Sequence, residues 1–502
     1  MENSSSNIKK SSSKIEKEED DPPDSLTVRK KIFQKELIDK TGSFFVGKSQ
    51  EITIKSNFSQ KGIRLEVGDV PFEIIYPENY WLKFPNFFKK ILSENLAFAS
   101  TFHLPYLLNI NSLNYRMPRP ITESLFFKGF VLSLPSIALM KVKTGGKTSD
   151  LLKKFFAINF RFDGESNVST PNSLGRQITK TAVLPFTFGK DSLLTYSLCK
   201  ELGIKSIPVF VKEPLPESRQ ENYHKEKSAK EFLKEFKEKV IFLDNEAGKL
   251  REDGGWYGWE LQLTQYALLM LPIVFANKSH YLFFSNEQSC NEEFLDEEGF
   301  WCNPVFEQSA EWLMKINKVI KEMGVENLRV SSLIEPLHEL AIVKVLHSRY
   351  PEIAKYQSSC FAEKPEAKFN RWCGNCSKCA RIYIFFLANN INPAKIGIQT
   401  NMLESKYKTK FSLFENGNIK DSEYDQSRLG RDEQLLAFLL AYRNGHKGEL
   451  MDLFKSLYLK EAEKREKELR KKYFGIHSTK TIPEELKDKV LKIYREELKD
   501  LK

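Results

Sequence analysis

The 502-residue sequence lacks a run of about 20 apolar residues, the length that a membrane-spanning helix needs. Its longest apolar stretch, Tyr266 to Ala276, is much shorter and is predicted to form a buried helix. Residues 1–25 lack the apolar segment of a secretory signal; they are polar and of low complexity, and are predicted to form a disordered tail. With 41% hydrophobic and 29% charged residues, the chain is expected to be a soluble cytoplasmic protein without a membrane partner.

The sequence also lacks a complete Walker A motif. That motif ends in Gly-Lys-Ser/Thr and needs a second glycine five residues before the glycine of that pair. Leu184 stands at that position, and Asp191 separates Lys190 from Ser192. A P-loop is therefore not expected.

What the sequence does have is a strand-to-helix junction suited to an anion. An apolar run, 182–188, precedes Gly189, and a helix-like run follows. A glycine there lets a phosphate oxygen approach unpaired backbone N–H groups, and the helix dipole adds positive potential. Lys190 and Ser192 would bind the phosphate, and Asp191 would hold a phosphate-bound Mg²⁺. The alternative is an ordinary turn with an Asp or Ser cap.

Cysteines are few, and four of the seven are spaced as metal ligands. The spacing C-x12-C-x2-C-x2-C is formed by Cys360, Cys373, Cys376 and Cys379. Short C-x2-C turns and one distant Cys suit tetrahedral, structural Zn²⁺ with no open position for a substrate. An iron–sulfur cluster or a disulfide pair are the alternatives. Cys199, Cys290 and Cys302 show no ligand spacing.

The formal net charge of +10 does not by itself indicate a nucleic-acid partner, because lysines are mixed with glutamates along the chain. The densest basic segment, 455–472, is interleaved in this way and is predicted to form a solvated helix with i,i+4 ion pairs. An RNA-binding arm is the alternative interpretation, so nucleic acid is a partner that is not favoured.

The predicted fold is α/β: a doubly wound parallel sheet with a four-cysteine zinc module, preceded by an α+β N-terminal domain. β-like runs alternate with helix-like runs in the second part of the chain, as in parallel sheets. The β-like runs are 182–188, 206–211, 239–243 and 281–285, and the helix-like runs are 193–202, 228–236 and 259–275. A Ser/Asn/Gly/Pro-rich segment, 163–177, marks the boundary. The predicted segments are 1–25 (tail), 26–178 (α+β), 179–440 (parallel sheet and zinc module) and 441–502 (charged helical extension).

Ligands of such sheets bind beyond the carboxyl ends of the strands. Besides the Gly189 junction, the run 281–285 ends in Ser285, with Glu287 close behind, and both are candidate ligand contacts. His338 and Lys344 lie in a helix-like stretch further on and are candidate catalytic groups, although surface or buried structural roles are common for such residues.

The segment Thr187–Phe188–Gly189–Lys190–Asp191–Ser192 resembles the PP-loop, S-G-G-x-D-S, of the adenine nucleotide alpha-hydrolase superfamily. It departs from that pattern at Thr187 in place of Ser and at Phe188 in place of Gly. The resemblance implies a PP-loop fold that cleaves ATP between the α- and β-phosphates. Thr187 and the residues from Gly189 to Ser192 would then bind ATP, with Ser285 and Glu287 at the same edge.

Together with the cysteines, the junction resembles the 7-cyano-7-deazaguanine synthase branch of that superfamily. The runs PFTFGKDSLLTYSLCKELGI and RWCGNCSKCARIYIFF and the large preceding region more closely resemble the ATP-dependent UDP-N-acetylmuramoyl-L-alanyl-L-glutamate epimerase family, over about 42–440. That resemblance implies an isomerase of peptidoglycan precursor synthesis that uses ATP, Mg²⁺ and structural Zn²⁺, with a nucleotide-sugar peptide as substrate. The alternatives are amide or nitrile formation on a deazapurine acid, and a non-catalytic nucleotide- or RNA-binding protein.

Overall fold

The computed structural model describes residues 51–140, 146–164, 178–215, 218–252, 255–360, 362, 365–414 and 429–501. The predicted tail, 1–25, and most of the predicted boundary segment, 163–177, lie outside the described residues. The strands are β1 (Glu51–Phe58), β2 (Gly62–Val67), β3 (Val70–Ile75), β4 (Ser112–Tyr115), β5 (Asn159–Phe162), β6 (Thr179–Pro185), β7 (Lys205–Lys212), β8 (Ile241–Asn245), β9 (Ser279–Phe284), β10 (Phe294–Leu295), β11 (Trp301–Cys302) and β12 (Arg329–Ser332).

The helices of the first half are α1 (Glu78–Trp81), α2 (Asn86–Thr101), α3 (Leu104–Leu108), α4 (Glu123–Met140), α5 (Thr148–Ala157), α6 (Lys190–Glu201), α7 (Arg219–Phe236), α8 (Gln262–Leu269) and α9 (Leu271–Ala276). Those of the second half are α10 (Ala310–Glu322), α11 (Glu339–Arg349), α12 (Pro351–Ala354), α13 (Ser377–Ala388), α14 (Pro393–Ile396), α15 (Leu429–Arg443), α16 (Glu449–Leu457), α17 (Leu459–Tyr473) and α18 (Glu484–Leu498). Short 3-10 turns connect several of these elements.

A single ten-stranded sheet forms the centre of the described chain, in the order β12-β9-β6-β7-β8-β3-β2-β1-β4-β5. The five strands from β12 to β8 are parallel. Within them the chain runs outward from β6 through β7 to β8, and then returns to the other side of β6 as β9 and β12. The strand order therefore reverses between β6 and β9, which is where ligands bind in doubly wound sheets.

The predicted α/β class and parallel sheet are confirmed, and β6 shows why. Val183 belongs to the hydrophobic core on one face of the sheet, and its neighbour Leu184 belongs to the core on the other face. Alternate side chains of a strand point to opposite faces, so an unbroken apolar run is expected where helices cover both.

The N-terminal region joins the same sheet. β3 pairs antiparallel with β8 through Ile74 and Asn245 and through Ile75 and Asp244. One hydrophobic core contains both Ile54 of β1 and Val183 of β6. The predicted segments 26–178 and 179–440 thus share a sheet and a core.

The predicted helix 259–275 is wrong in one respect, because the structure has two helices there. α8 ends at Leu269, and α9 begins at Leu271 with Pro272 in its first turn. Proline has no N–H and fits the first turn of a helix but not its interior, so it favours a new helix start.

One described helix, α4, is long and apolar enough to cross a membrane by length and composition. In the structure 56% of it is buried, and Phe126 and Phe130 are fully enclosed in the core. Pro135 lies inside it. A core helix of a globular domain passes the same test, and the burial of α4 fits that interpretation.

The C-terminal helices pack on the face of the sheet that α6 and α11 cover. α17 contains the predicted i,i+4 pairs Glu461–Arg465 and Glu466–Arg470. The predicted solvated character is wrong for its inner face, because Leu469 is buried. Because α17 contains few apolar residues, its sequence did not indicate that one narrow face contacts the core.

Candidate functional site

The loop between β6 and α6 lies at the sheet position where the strand order reverses. Gly189 is the residue before α6, and Phe188 has a left-handed backbone with φ 56°. The Phe188 ring is buried, with its centroid 4.7 Å from that of Phe186 and 5.6 Å from that of Phe232. The bulky residue at the second motif position therefore points into the core and leaves the outer side of the loop open.

Hydroxyl groups surround the start of α6. Thr187 is exposed, and a Cβ atom at Gly189 would lie 3.3 Å from its Oγ1. Ser192 Oγ donates to the Gly189 carbonyl at 3.2 Å, and the Lys190 N–H donates to Ser359 Oγ at 3.2 Å. The first turn of α6 thus presents N–H and O–H groups around a backbone position without a side chain, a geometry suited to a phosphate.

Lys190 is buried among carboxylates. Its Nζ lies 2.7 Å from Asp191 Oδ1 and 3.0 Å from Glu339 Oε2. Arg381 Nη1 lies 3.2 Å from Glu339 Oε1, so Glu339 bridges two cations. Burial alone would raise the pKa of Glu339, but Arg381 and Lys190 together lower it to about 2.

Two further carboxyl groups face this ion-pair cluster, and their pKa values shift the other way. Burial, and then the nearby charge of Glu339, raise the pKa of Glu287 well above its ordinary range. The same two causes raise the pKa of Glu433 to about 8. Glu433 Oε1 also accepts the Leu340 N–H at 2.7 Å. The site therefore combines a carboxylate held ionised with two carboxyl groups that favour the protonated form, the pattern of acid and base pairs.

Asp191 and Ser285 are the other predicted site residues at this edge of the sheet. Burial raises the pKa of Asp191, and the adjacent Lys190 opposes that rise. Ser285, directly after β9, donates its hydroxyl to Thr195 Oγ1 at 2.9 Å, so it ties β9 to α6.

The structure places His338 and Lys344 outside the ion pairs that link Lys190, Glu339 and Arg381. The His338 ring is buried 5.0 Å from the rings of Tyr473 and His477, and burial lowers its pKa to about 3. Lys344 follows Glu339 by five residues, which is roughly 140° around α11 at 3.6 residues per turn. Their catalytic roles stay predictions.

The four predicted metal-ligating cysteines converge. Their sulfur atoms all lie within 4.8 Å of one another, and the Cys373 and Cys379 sulfurs are 3.7 Å apart. Four sulfurs at about 2.3 Å from a tetrahedral Zn²⁺ would be about 3.8 Å apart, so the group fits this ion.

Backbone N–H groups point at three of these sulfurs, as metal-bound thiolates require. The donors and acceptors are Ala362 to Cys360 (3.3 Å), Asn375 to Cys373 (3.4 Å) and Cys379 to Cys376 (3.4 Å). Gly374, in the turn between two ligands, has φ 64°, a value that favours glycine. A four-cysteine site able to hold a metal such as zinc is confirmed.

Sequence reasoning missed Glu339, Arg381 and Glu433. Glu339 is next to a candidate histidine, and Arg381 lies two residues after the last cysteine, so both had a local signal. Glu433 had none, because α15 brings it to the site from far along the chain. No family model, curated protein or solved structure matches this chain. What the site does must therefore be inferred from its own side chains.

Proposed function

We propose that the chain activates a carboxylate with ATP, forming an acyl-adenylate and releasing pyrophosphate. One observation supports this above all: Gly189 precedes a twelve-residue helix that begins with Lys190, Asp191 and Ser192 at the point where the strand order reverses. The N–H groups, the cation and the hydroxyl at this helix N-terminus suit the β- and γ-phosphates of a nucleotide.

The chemistry that such a site would perform follows from charge. A carboxylate oxygen attacks the α-phosphorus, and the bond to the β-phosphate oxygen breaks as pyrophosphate leaves with the bonding electrons. Negative charge grows on the leaving group, and the α6 N–H groups and Lys190 would stabilise it. In this proposal Asp191 is the candidate ligand of a phosphate-bound Mg²⁺.

The specific reaction proposed is epimerisation of the terminal L-Glu of UDP-MurNAc-L-Ala-L-Glu to D-Glu, in the cytoplasm, where ATP and nucleotide sugars are found. Adenylation makes the Cα–H more acidic; one group removes the proton, another returns a proton to the opposite face, and water then releases AMP. Glu287 and Glu433 join His338 and Lys344 as candidates, because burial raises the pKa of both glutamates and that of Glu433 to about 8, which suits proton transfer near neutral pH.

A second candidate function is the reaction of the 7-cyano-7-deazaguanine synthase type. There ammonia displaces AMP from the adenylate of a deazapurine acid to form an amide, and a second ATP adenylates the amide oxygen, which leaves as AMP to give the nitrile. The feature that favours it is the four-cysteine site followed directly by Ala380 and Arg381. A non-catalytic nucleotide- or RNA-binding protein is the third candidate.

A single assay separates these functions. The pure protein is incubated with ATP, Mg²⁺ and either UDP-MurNAc-L-Ala-L-Glu or 7-carboxy-7-deazaguanine with ammonia, and nucleotides are resolved by chromatography. Substrate-dependent AMP and pyrophosphate support the proposal, whereas ADP and phosphate, or no turnover with either acid, contradict it. The double variant Lys190→Ala, Asp191→Ala should lose turnover, and Lys200→Ala, at the exposed end of the same helix, should keep it.

A further inference from the structure

The four-cysteine site adjoins the loop between β6 and α6, which is the proposed phosphate-binding loop, through its first ligand, Cys360. Ser358 and Ser359 directly precede Cys360. The Ser358 N–H donates to the Phe188 carbonyl at 2.7 Å, and Ser359 Oγ accepts the Lys190 N–H at 3.2 Å. The residue before Cys360 thus contacts the first helical residue of α6.

The last ligand, Cys379, is linked to the same loop through a chain of ion pairs. Arg381 follows Cys379 by two residues and pairs with Glu339, which in turn pairs with Lys190. A metal that binds both Cys360 and Cys379 would therefore tie together a chain segment that contacts the loop directly and one that is linked to it through Glu339.

The Ser359 hydroxyl accepts two hydrogen bonds. Its Oγ accepts from Gln357 Nε2 at 3.3 Å as well as from the Lys190 N–H. Gln357 is in turn held through Oε1, 2.7 Å from His347 Nε2. Both lone pairs of the Ser359 hydroxyl are then used, and among the described residues no acceptor is bonded to its hydrogen. The Oγ lies 3.9 Å from where a Cβ of Gly189 would be, so this donor is at the mouth of the loop.

We propose that Ser359 is a further phosphate-binding residue and that the metal-bound four-cysteine module holds it, and the loop, in place. This inference rests on the proposed function for the identity of the anion, the phosphates of ATP. The left-handed conformation of Phe188 makes such support necessary, because a non-glycine residue adopts it only where its surroundings hold it. The Ser358 N–H supplies part of that support, and Lys225 Nζ anchors the Ser358 carbonyl at 2.6 Å.

The first test uses full-length, zinc-loaded protein and calorimetric titration with ATP and with inorganic pyrophosphate. Ser359→Ala should keep one zinc per chain and bind both probes about tenfold more weakly, as expected for one lost hydrogen bond to a charged group. Ser359→Thr, which keeps the hydroxyl, should restore most of the affinity. Ser358→Ala is the matched control, because that hydroxyl donates to the Arg371 carbonyl at 3.3 Å and not to the loop. Equal affinity of the Ser359→Ala variant and the parent would overturn the proposal.

The second test needs no nucleotide and so separates this inference from the proposed function. Amide hydrogen exchange of peptides covering 186–194 is compared before and after zinc removal by a chelator, and in Ser359→Ala. Faster exchange in both cases, and not in Ser358→Ala, supports the coupling. Unchanged exchange after zinc removal would overturn it. A parent protein that binds neither ATP nor pyrophosphate would instead reject the proposed function and the phosphate-binding role, while the exchange result would still decide whether the module holds the loop.

Discussion

Lys190 and Glu339 form a buried ion pair between the first residues of two helices, with 3.0 Å between Nζ and Oε2. Both helices follow strands of the parallel half of the sheet, so the pair links the exits of β6 and β12. The second oxygen of Glu339 binds Arg381, which lies in α13 together with Cys379. This ion-pair chain connects the loop between β6 and α6 to the four-cysteine site.

Breaking this pair from one side should be costly. Lys190→Met removes the buried cation that pairs with Asp191 and Glu339, leaves Glu339 with Arg381, and should lower the free energy of unfolding by about 3 kcal/mol. Adding Glu339→Gln should recover at least about 1 kcal/mol relative to the sum of the single changes. Urea unfolding of the four proteins measures this coupling. Additive effects would contradict it, and Lys212→Met, in a more exposed pair with Asp244, should cost under about 1 kcal/mol.

The backbone of Phe188 predicts an unusual order of stability. Phe188→Ala removes the ring from its contacts with Phe186 and Phe232 and should cost about 3–5 kcal/mol. Phe188→Gly should be about 1 kcal/mol more stable than Phe188→Ala, because φ 56° is easier for glycine. At Phe232, inside α7, the order should be the normal one, with alanine more stable. Thermal or urea unfolding decides, and the normal order at 188 would refute the left-handed conformation.

Loss of one thiolate should release the metal. Cys376→Ser removes a ligand of the four-sulfur group, so zinc content measured by mass spectrometry should fall well below one per chain. Because metal binding contributes directly to folding, the variant should also unfold at lower temperature. Cys302→Ala, at a buried cysteine outside the group, should keep one zinc. Full zinc retention by Cys376→Ser would remove the four-thiolate assignment.

The raised pKa of Glu433 predicts that the free energy of unfolding decreases as pH rises. Its pKa is raised from 4.5 to about 8, chiefly by burial and then by Glu339, with Arg381 and Lys190 opposing the rise. The folded state then binds a proton that the unfolded state has released. The contribution is fully present below about pH 4.5 and is lost as pH rises to about 8.

Glu433→Gln keeps an oxygen that can accept the Leu340 N–H and removes the titration. Between pH 5 and 8 the parent should therefore lose about 1–3 kcal/mol more stability than this variant, as measured by urea unfolding at each pH. Parallel pH profiles of the two proteins would contradict the shift. Glu484→Gln, on the surface of α18, should follow the parent.

The segment 474–483 should depend on Glu335 for its attachment to the fold. This buried carboxylate accepts hydrogen bonds from the Ser478 hydroxyl, the Lys480 N–H and the N–H and hydroxyl of Thr481. Glu335→Ala would leave these donors without their acceptor and should cost about 3 kcal/mol or more.

The same variant should be cleaved more readily between 474 and 483 in limited proteolysis, since this segment loses its anchor. Glu484→Ala, at an exposed position nearby, should change the free energy of unfolding by less than about 0.5 kcal/mol. Protease resistance equal to that of the parent would show that other contacts hold the segment.

Short-range sequence patterns were sufficient to predict the features that depend on neighbouring residues. The apolar run before Gly189 predicted β6, and the alternation of runs predicted the parallel sheet. The two-residue gaps between Cys373, Cys376 and Cys379 predicted the metal site, because such turns bring sulfurs and N–H groups together locally.

Contacts between groups far apart in the chain depend on how the helices and strands pack. The β3–β8 pairing that makes one sheet, the inward direction of Phe188, and the approach of Glu433 all arise from packing between segments far apart in the chain. The fold also set the charges: burial would raise the pKa of Glu339, but Arg381 and Lys190 lower it, whereas burial and the nearby charge of Glu339 raise the pKa of Glu433. A linear pattern carries no record of such distances, since they exist only once both faces of the sheet are covered.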